Sequence, residues 1–169
     1  MEKRGSKSRF LSLQLRRKLM RLTICIAACF GAAWLGSLVT IPALKPWYAA
    51  LAKPRWTPPD WLFGPVWTIL FLAMAFAAWL VWRQGGLKAV PMQLFLLQLL
   101  LNVAWSLLFF RLRSPGAAFV EIVLLWSGIL LTTISFRSAE AFAAWLMIPY
   151  LMWVTFAVAL NFKIWRLNS

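Results

Sequence analysis

The sequence predicts an all-α integral membrane protein, a bundle of five transmembrane helices. Of its 169 residues, 63% are apolar and 13% are charged, and a soluble domain of this size could not bury so much apolar surface. Five charge-poor runs of about 21 to 23 residues each could cross a hydrocarbon core of about 30 Å as a helix. The runs lack the alternating pattern of a membrane β-barrel, so helices are the remaining way to satisfy the backbone in lipid.

A basic N-terminal tail, residues 1–21, precedes the predicted transmembrane domain, residues 22–169. The tail holds eight of the 18 basic residues, and leucines spaced three or four apart give it an apolar face. An amphipathic helix lying on anionic lipid and an organellar targeting segment both fit this composition. The other basic residues lie in loops and at span ends, which indicates headgroup anchoring rather than nucleic-acid binding.

The first span, residues 22–44, carries two cysteines and a row of small residues. Cys25 and Cys29 make a poor metal site without histidine, so core packing is expected for them. Ala28, Ala32 and Gly36 follow a small-xxx-small spacing. This spacing suits close helix packing, either within the chain or between two copies of it.

The first loop, residues 45–60, is long, proline-rich and aromatic. Prolines remove backbone donors and fix φ, so this loop should be stiff. Its tryptophans present an apolar surface that water disfavours, and the loop could therefore fold over the mouth of the bundle as a lid. There Lys53 and Arg55 could meet an anionic group of a ligand. An interfacial anchor is the alternative reading of the same residues.

The remaining four spans are separated by short loops. Such loops predict that consecutive helices are antiparallel neighbours. These four spans cover residues 61–82, 90–110, 115–136 and 141–162.

Polar and aromatic side chains form stripes on three of these helices. Trp67 and Phe71 are four residues apart on the second, and Trp153 begins a similar stripe on the fifth. Amides within hydrocarbon need partners, so those on the third and fifth helices should face the interior. In the interior each amide could form hydrogen bonds either with another helix or with a ligand. These amides are Gln98, Asn102 and Asn161.

The residue inventory argues against a conventional enzyme. No histidine is present and only four acids are, so the usual general bases, zinc ligands and haem ligands are missing. Glu121 is the one acid inside a span. It could serve a proton path, or it could have a structural role, either in an ion pair with Arg111 or Arg113 across a short loop or in an interfacial contact. Neither a metal nor a cofactor is expected.

Several motifs, in order, resemble the TspO/MBR family of tryptophan-rich sensory proteins, translocator proteins and peripheral-type benzodiazepine receptors. The resemblance spans residues 47–168, and the first helix is more loosely alike. It rests on WYAALAKPRWTPPDWLFGPVWT, LVWRQGG, QLLLNVAWSLLFF and PYLMWVTFAVALNFKIWRLN.

The resemblance implies a multi-pass protein of a bacterial or organellar membrane, commonly a homodimer. It implies binding of porphyrins or other tetrapyrroles and related hydrophobic molecules, with membrane lipid around it. The family pocket lies under the first loop, among the second, third and fifth helices. Carried over by motif, its walls here would be Tyr48, Trp67, Phe71, Asn102, Trp105, Trp153, Ala157 and Leu160.

Three hypotheses follow from these features. The favoured one is a tetrapyrrole-binding sensor, scavenger or transporter. The second is oxidative or light-driven porphyrin breakdown at pocket indoles, which has been proposed for members of the family. The third is a structural or sterol-binding membrane partner; its sterol motif is weakened here because Phe162 replaces the tyrosine of the family pattern.

Overall fold

The computed structural model describes the backbone of residues 2–169 and the side chains of residues 13–169. Its helices are α1 (Glu2–Leu44), α2 (Asp60–Gly85), α3 (Val90–Ser106), α4 (Pro115–Ala139) and α5 (Ala141–Leu167). A 3₁₀ turn, Tyr48–Ala50, lies in the first loop, and a π-helical turn, Leu107–Arg111, extends α3. The predicted five-helix membrane bundle is confirmed, because all five helices are long and apolar enough to span a bilayer.

α1, α2, α4 and α5 extend beyond the predicted spans, whereas α3 ends at Ser106 and the π-helical turn continues its path to Arg111. α1 runs without a break through the boundary expected between residues 21 and 22. The division into a tail and a transmembrane domain stays a prediction, and the side chains of residues 1–12 lie outside the described part of the structure. A single residue, Glu140, separates α4 from α5, so these two helices form a tight antiparallel pair.

Around the bundle the helices follow the cyclic order α1, α2, α5, α4, α3. The expectation that consecutive helices are neighbours therefore fails for α2 and α3, which make few contacts with each other. Their joint at Gly86, where φ is 79°, lies at the end of the bundle away from the first loop. From that joint the two helices diverge, and α1 and α5 close the space between them.

The end of the bundle away from the first loop is solidly packed. Phe95 of α3 stacks on Phe136 of α4 with ring centroids 5.9 Å apart, and both rings are buried. Met74 and Met147 fill the centre without exposed surface. Cys25 joins this cluster, as expected of a core thiol.

The small-residue row of α1 faces its own bundle. Ala32 is part of the core cluster and Ala28 packs against it. A Cβ added at Gly36 would lie 3.2 Å from the hydroxyl oxygen of Ser106, so glycine allows α1 to approach α3. The structure thus assigns this row a packing role within the chain.

The expected ion pair of Glu121 does not form. Its side chain is only 8% exposed, and within the described residues neither carboxylate oxygen has a hydrogen-bond partner. Arg111 and Arg113 are exposed. The α4 helix turns Glu121 toward the interior, away from the loop that carries the arginines.

Candidate ligand-binding site

A cavity of about 640 Å³ occupies the end of the bundle next to the first loop. Its walls come from α1, α2, α3 and α5, with Tyr48 contributed by the loop. It exists because α2 and α3 diverge from their joint toward this end. A volume of this size is typical of pockets that enclose most of a drug-sized ligand.

All eight residues selected from the sequence line this one cavity. Trp67, Trp105, Trp153 and Ala157 are only half-buried although they lie inside the bundle, because the cavity leaves their faces uncovered. The other four are buried at its edge. They are Tyr48, Phe71, Asn102 and Leu160.

Aromatic rings form a large part of the cavity wall, and they support one another. Trp67 packs against Phe71 with centroids 5.5 Å apart. Trp105 stacks on Phe109 at 5.2 Å, and the edge of Phe63 meets Trp153 at 5.9 Å. Rings braced in this way offer flat faces of fixed orientation, which suit a flat apolar ligand.

Two of the inward-facing amides are bonded to other helices. Asn102 donates from its side-chain nitrogen to the Tyr150 hydroxyl at 2.9 Å. The Trp105 indole nitrogen donates to the side-chain oxygen of Asn161 at 3.0 Å, and Asn161 donates to the Pro115 carbonyl at 2.8 Å. Trp105 therefore offers a ligand its ring and not its N–H group. Asn102 keeps its carbonyl oxygen and one N–H for a ligand.

The third amide, Gln98, is fully buried. Neither its oxygen nor its nitrogen has a hydrogen-bond partner in the described residues. It lies against Gly128, where an added Cβ would come within 3.5 Å of the Gln98 Cβ. Gln98 does not line the cavity, so it takes no part in the candidate site.

The first loop is fastened over the cavity end at several points. Tyr48 packs on Phe110 with ring centroids 5.9 Å apart, and Trp56 meets Phe156 at 5.5 Å. The backbone of Ala52 both donates to and accepts from the side chain of Asn168, each at 3.0 Å. The loop is thus tied to α3 and to the end of α5.

The π-helical turn, Leu107–Arg111, supplies the partners of the loop. Its extra residue per turn rotates the end of α3, so that Phe109 and Phe110 are both buried facing the first loop. Trp47 packs edge-on against Phe109 at 5.4 Å. This turn therefore determines where the loop is anchored.

Burial, and to a smaller extent the nearby Asp60 carboxylate, raise the pKa of Tyr48 to about 12. The Lys53 ammonium lies 4.2 Å from the centre of the Tyr48 ring and donates to the Tyr48 carbonyl at 3.1 Å. Tyr48 therefore keeps its proton and offers the cavity a neutral phenol.

The sequence predicts positive charge at the cavity, but the charged side chain found there is negative. Neither Lys53 nor Arg55 lines the wall, since Lys53 is held on Tyr48 and Arg55 is exposed. The charged residue that does line it is Asp60, the first residue of α2. The hypothesis that these two basic residues meet a ligand anion has no support in the geometry.

The contribution of α1 was missed from the sequence. The sequence predicts only a packing role for its small-residue row, but Ala32 and Gly36 of that row also line the cavity. Small side chains allow helices to approach, and they also leave space beside larger neighbouring side chains. The small residues of α1 were therefore the sequence feature that could have indicated a cavity wall on this helix. The α1 residues of the wall are Phe30, Ala32, Ala33, Trp34, Gly36, Ser37, Thr40, Ile41 and Leu44.

Comparison with known proteins agrees with this architecture. The sequence profile of the TspO/MBR family matches residues 25–166. The tryptophan-rich protein TspO of Chlorobaculum tepidum is 43% identical over 158 residues, which are 91% of this chain and 99% of that protein. The human translocator protein is 42% identical over 126 residues, covering 72% of this chain and 75% of the relative.

A third relative is the tryptophan-rich sensory protein of Cereibacter sphaeroides. It is 35% identical over 145 residues, which are 85% of this chain and 88% of that protein. The family match, residues 25–166, includes the segments of α1, α2, α3 and α5 that line the cavity. Together with five spans of membrane-crossing length, they establish a multi-pass integral membrane protein. The chain belongs to the TspO/MBR family.

Proposed function

We propose that this protein binds porphyrins or related flat tetrapyrroles in the cavity next to the first loop, as a sensor, scavenger or transporter. The observation that carries the proposal is the set of three indoles, Trp67, Trp105 and Trp153, that face one cavity with their rings braced by neighbours. A flat macrocycle gains dispersion contacts on such walls at little cost in side-chain ordering.

The polar groups of the cavity are few and fixed, as expected of a site that orients a largely apolar ligand. Asn102 is held by Tyr150 at 2.9 Å and reaches the cavity. Its free carbonyl oxygen can accept a hydrogen bond from a pyrrole N–H. The homodimer and the sterol partner implied by the family resemblance stay predictions, and the membrane lipids are the expected surroundings.

Titration with protoporphyrin, followed by tryptophan quenching, tests the proposal. Quenching should saturate, and Trp153→Phe should weaken binding by about threefold to tenfold, since losing part of a stacking surface costs about 0.5–1.5 kcal/mol. The matched control is Trp145→Phe, which removes an exposed indole of the same helix that does not line the cavity.

Two outcomes would redirect the proposal. Quenching that never saturates and ignores both substitutions would show porphyrin dissolved in lipid only. A product spectrum that grows under illumination, and disappears in a Trp67→Phe, Trp153→Phe double variant, would favour breakdown over binding.

A further inference from the structure

The cavity has an open side within the membrane, between α1 and α2. Three of the residues that line it are among the most exposed aromatic and aliphatic side chains of the bundle: Trp34 at 61%, Ile41 at 65% and Trp61 at 72%. Gly64 and Thr68 of α2 also line the cavity and are exposed. Exposed fractions this large on residues that also line the cavity indicate that the cavity meets the outer surface here.

The opening follows from how α1 packs. Near its C-terminal end α1 leans on α3, with Gly36 against Ser106 and Ala43 clustered with Phe109 and Phe110. Farther along toward its N-terminus, Cys29 of α1 packs in the core cluster with Ala78 of α2. α1 and α2 therefore meet at one end and separate at the other, which leaves a slot between them.

The slot lies at bilayer depth. Trp34 precedes the end of α1 at Leu44 by ten residues, or about 15 Å of helix, which is about half of a hydrocarbon core of about 30 Å. The hydroxyls near it are satisfied locally: Ser37 donates to the Trp34 carbonyl at 2.7 Å and Thr68 to the Gly64 carbonyl at 2.9 Å. The slot is thus compatible with acyl chains.

Compared with the slot, the route into the cavity past the first loop is closed. The loop is anchored by ring contacts to Phe110 and Phe156 and by the paired hydrogen bonds between Ala52 and Asn168. Opening it would break all of these contacts together. In the described residues, the ring contact between α1 and α2, Phe30 with Phe71, and the hydrogen bonds between them, at Trp79 and Trp82, lie farther from the loop than the slot does.

We propose that ligands reach the cavity sideways, from the acyl chains of the leaflet next to the first loop, through the slot between α1 and α2. This inference rests on the proposed function for the kind of ligand. It defines the ligand class further: a molecule that partitions into the bilayer and presents an apolar edge to the slot.

A matched pair of glycines allows a direct test. A Cβ added at Gly64, on the slot, or at Gly31, away from the cavity, meets no atom within 4 Å, so both accept a larger side chain. Protoporphyrin in phosphatidylcholine vesicles should bind to Gly64→Phe, and dissociate from it, about tenfold more slowly, because an obstructed passage slows movement in both directions. Gly31→Phe should behave as the unsubstituted protein.

Asn168→Ala serves as the opposing variant, since it removes the side chain that holds the loop at Ala52. We expect protoporphyrin to bind to Asn168→Ala, and to dissociate from it, at unchanged rates. Faster binding in Asn168→Ala, with no effect of Gly64→Phe, would overturn the lateral route in favour of the loop. Thr68→Phe, one turn along the slot, repeats the obstruction should Gly64→Phe fold poorly.

A second readout needs no porphyrin, so it separates failure of the lateral route from failure of the proposed function. Brominated acyl chains entering the slot should quench Trp67, measured as the emission lost in Trp67→Phe. This quenching should fall in Gly64→Phe and persist in Gly31→Phe. Absence of quenching in the unsubstituted protein would overturn the lateral route. A dimer dispersed by Gly64→Phe would show that a second copy covers the slot.

Discussion

Asp60 introduces a negative charge at the mouth of an otherwise apolar cavity. Protoporphyrin carries two propionates, and a carboxylate near either of them opposes binding. We expect Asp60→Asn to bind protoporphyrin about twofold to fivefold more tightly, because Asp60 is exposed and such charges contribute about 1 kcal/mol or less.

The dimethyl ester of the same porphyrin provides the control for Asp60→Asn. It lacks the propionate charges, so its affinity should not change in the variant when both are measured by tryptophan quenching. Equal effects on the acid and the ester would show that Asp60 acts through shape rather than charge.

Tyr48 should make the protein less stable at alkaline pH. Burial holds its pKa near 12 in the native state, while a tyrosine in the unfolded state has a pKa of about 10. The unfolded state therefore loses its proton first, and the contribution of Tyr48 to stability declines as the pH rises from about 10 to about 12. In SDS unfolding, Tyr48→Phe should lose less stability than the unsubstituted protein over this range. Parallel pH profiles would contradict this assignment.

At the scale of helices, the close approach of α4 to α5 depends on Gly116. A Cβ at that position would lie 2.9 Å from the Trp165 indole nitrogen, and the rigid ring is stacked on Phe119 at 5.6 Å. Gly116→Ala should therefore destabilise the fold by about 1–3 kcal/mol through overpacking.

Gly64→Ala is the matched control for that prediction. The added methyl meets no atom within 4 Å, and alanine is favoured over glycine in a helix by about 1 kcal/mol. Unfolding in SDS should therefore show a small gain in stability. A loss of equal size in both variants would mean that helix backbone effects, and not the Trp165 contact, decide the result.

The number and approximate bounds of the helices could be predicted because run length and charge depletion report directly on lipid-spanning segments. The neighbour relations could not. Short loops predict that α2 and α3 are neighbours, yet the two diverge from Gly86, because α2 packs instead against α1 and α5. Likewise, the spacing of Asn102 and Asn161 predicted that they face inward, whereas their partners Tyr150 and Trp105 depend on the packing of separate helices.

Across the whole molecule, side chains fill the end of the bundle away from the first loop, whereas the end next to the loop contains the cavity. Phe136, without exposed surface, loses many contacts when shortened, so Phe136→Ala should cost about 3 kcal/mol or more. Phe63 lines the cavity and is half-buried, so Phe63→Ala should cost less than half as much. Equal losses in SDS unfolding would contradict this division.

The cavity walls on α2, α3 and α5 could be predicted from the sequence because indoles mark these helices. Trp67, Trp105 and Trp153 stood out because indoles deep in a span need an explanation beyond interfacial anchoring. The α1 wall was invisible by the same criterion, because Ala33 and Ser37 resemble ordinary lipid-facing or packing residues. The sign of the charge at the mouth also depended on the fold, since Lys53 is drawn onto Tyr48 and Asp60 begins α2.

The hydrogen bonds between Ala52 and Asn168 join the first loop to a residue that follows all five spans. During synthesis the loop emerges early, but its fastening can form only after α5 has been inserted. Until then the aromatic surfaces of the loop and of α3 have no α5 to meet. The proposed ligand site is therefore the last part of the protein to form, and a nascent chain halted before α5 should contain four inserted helices without a complete cavity wall.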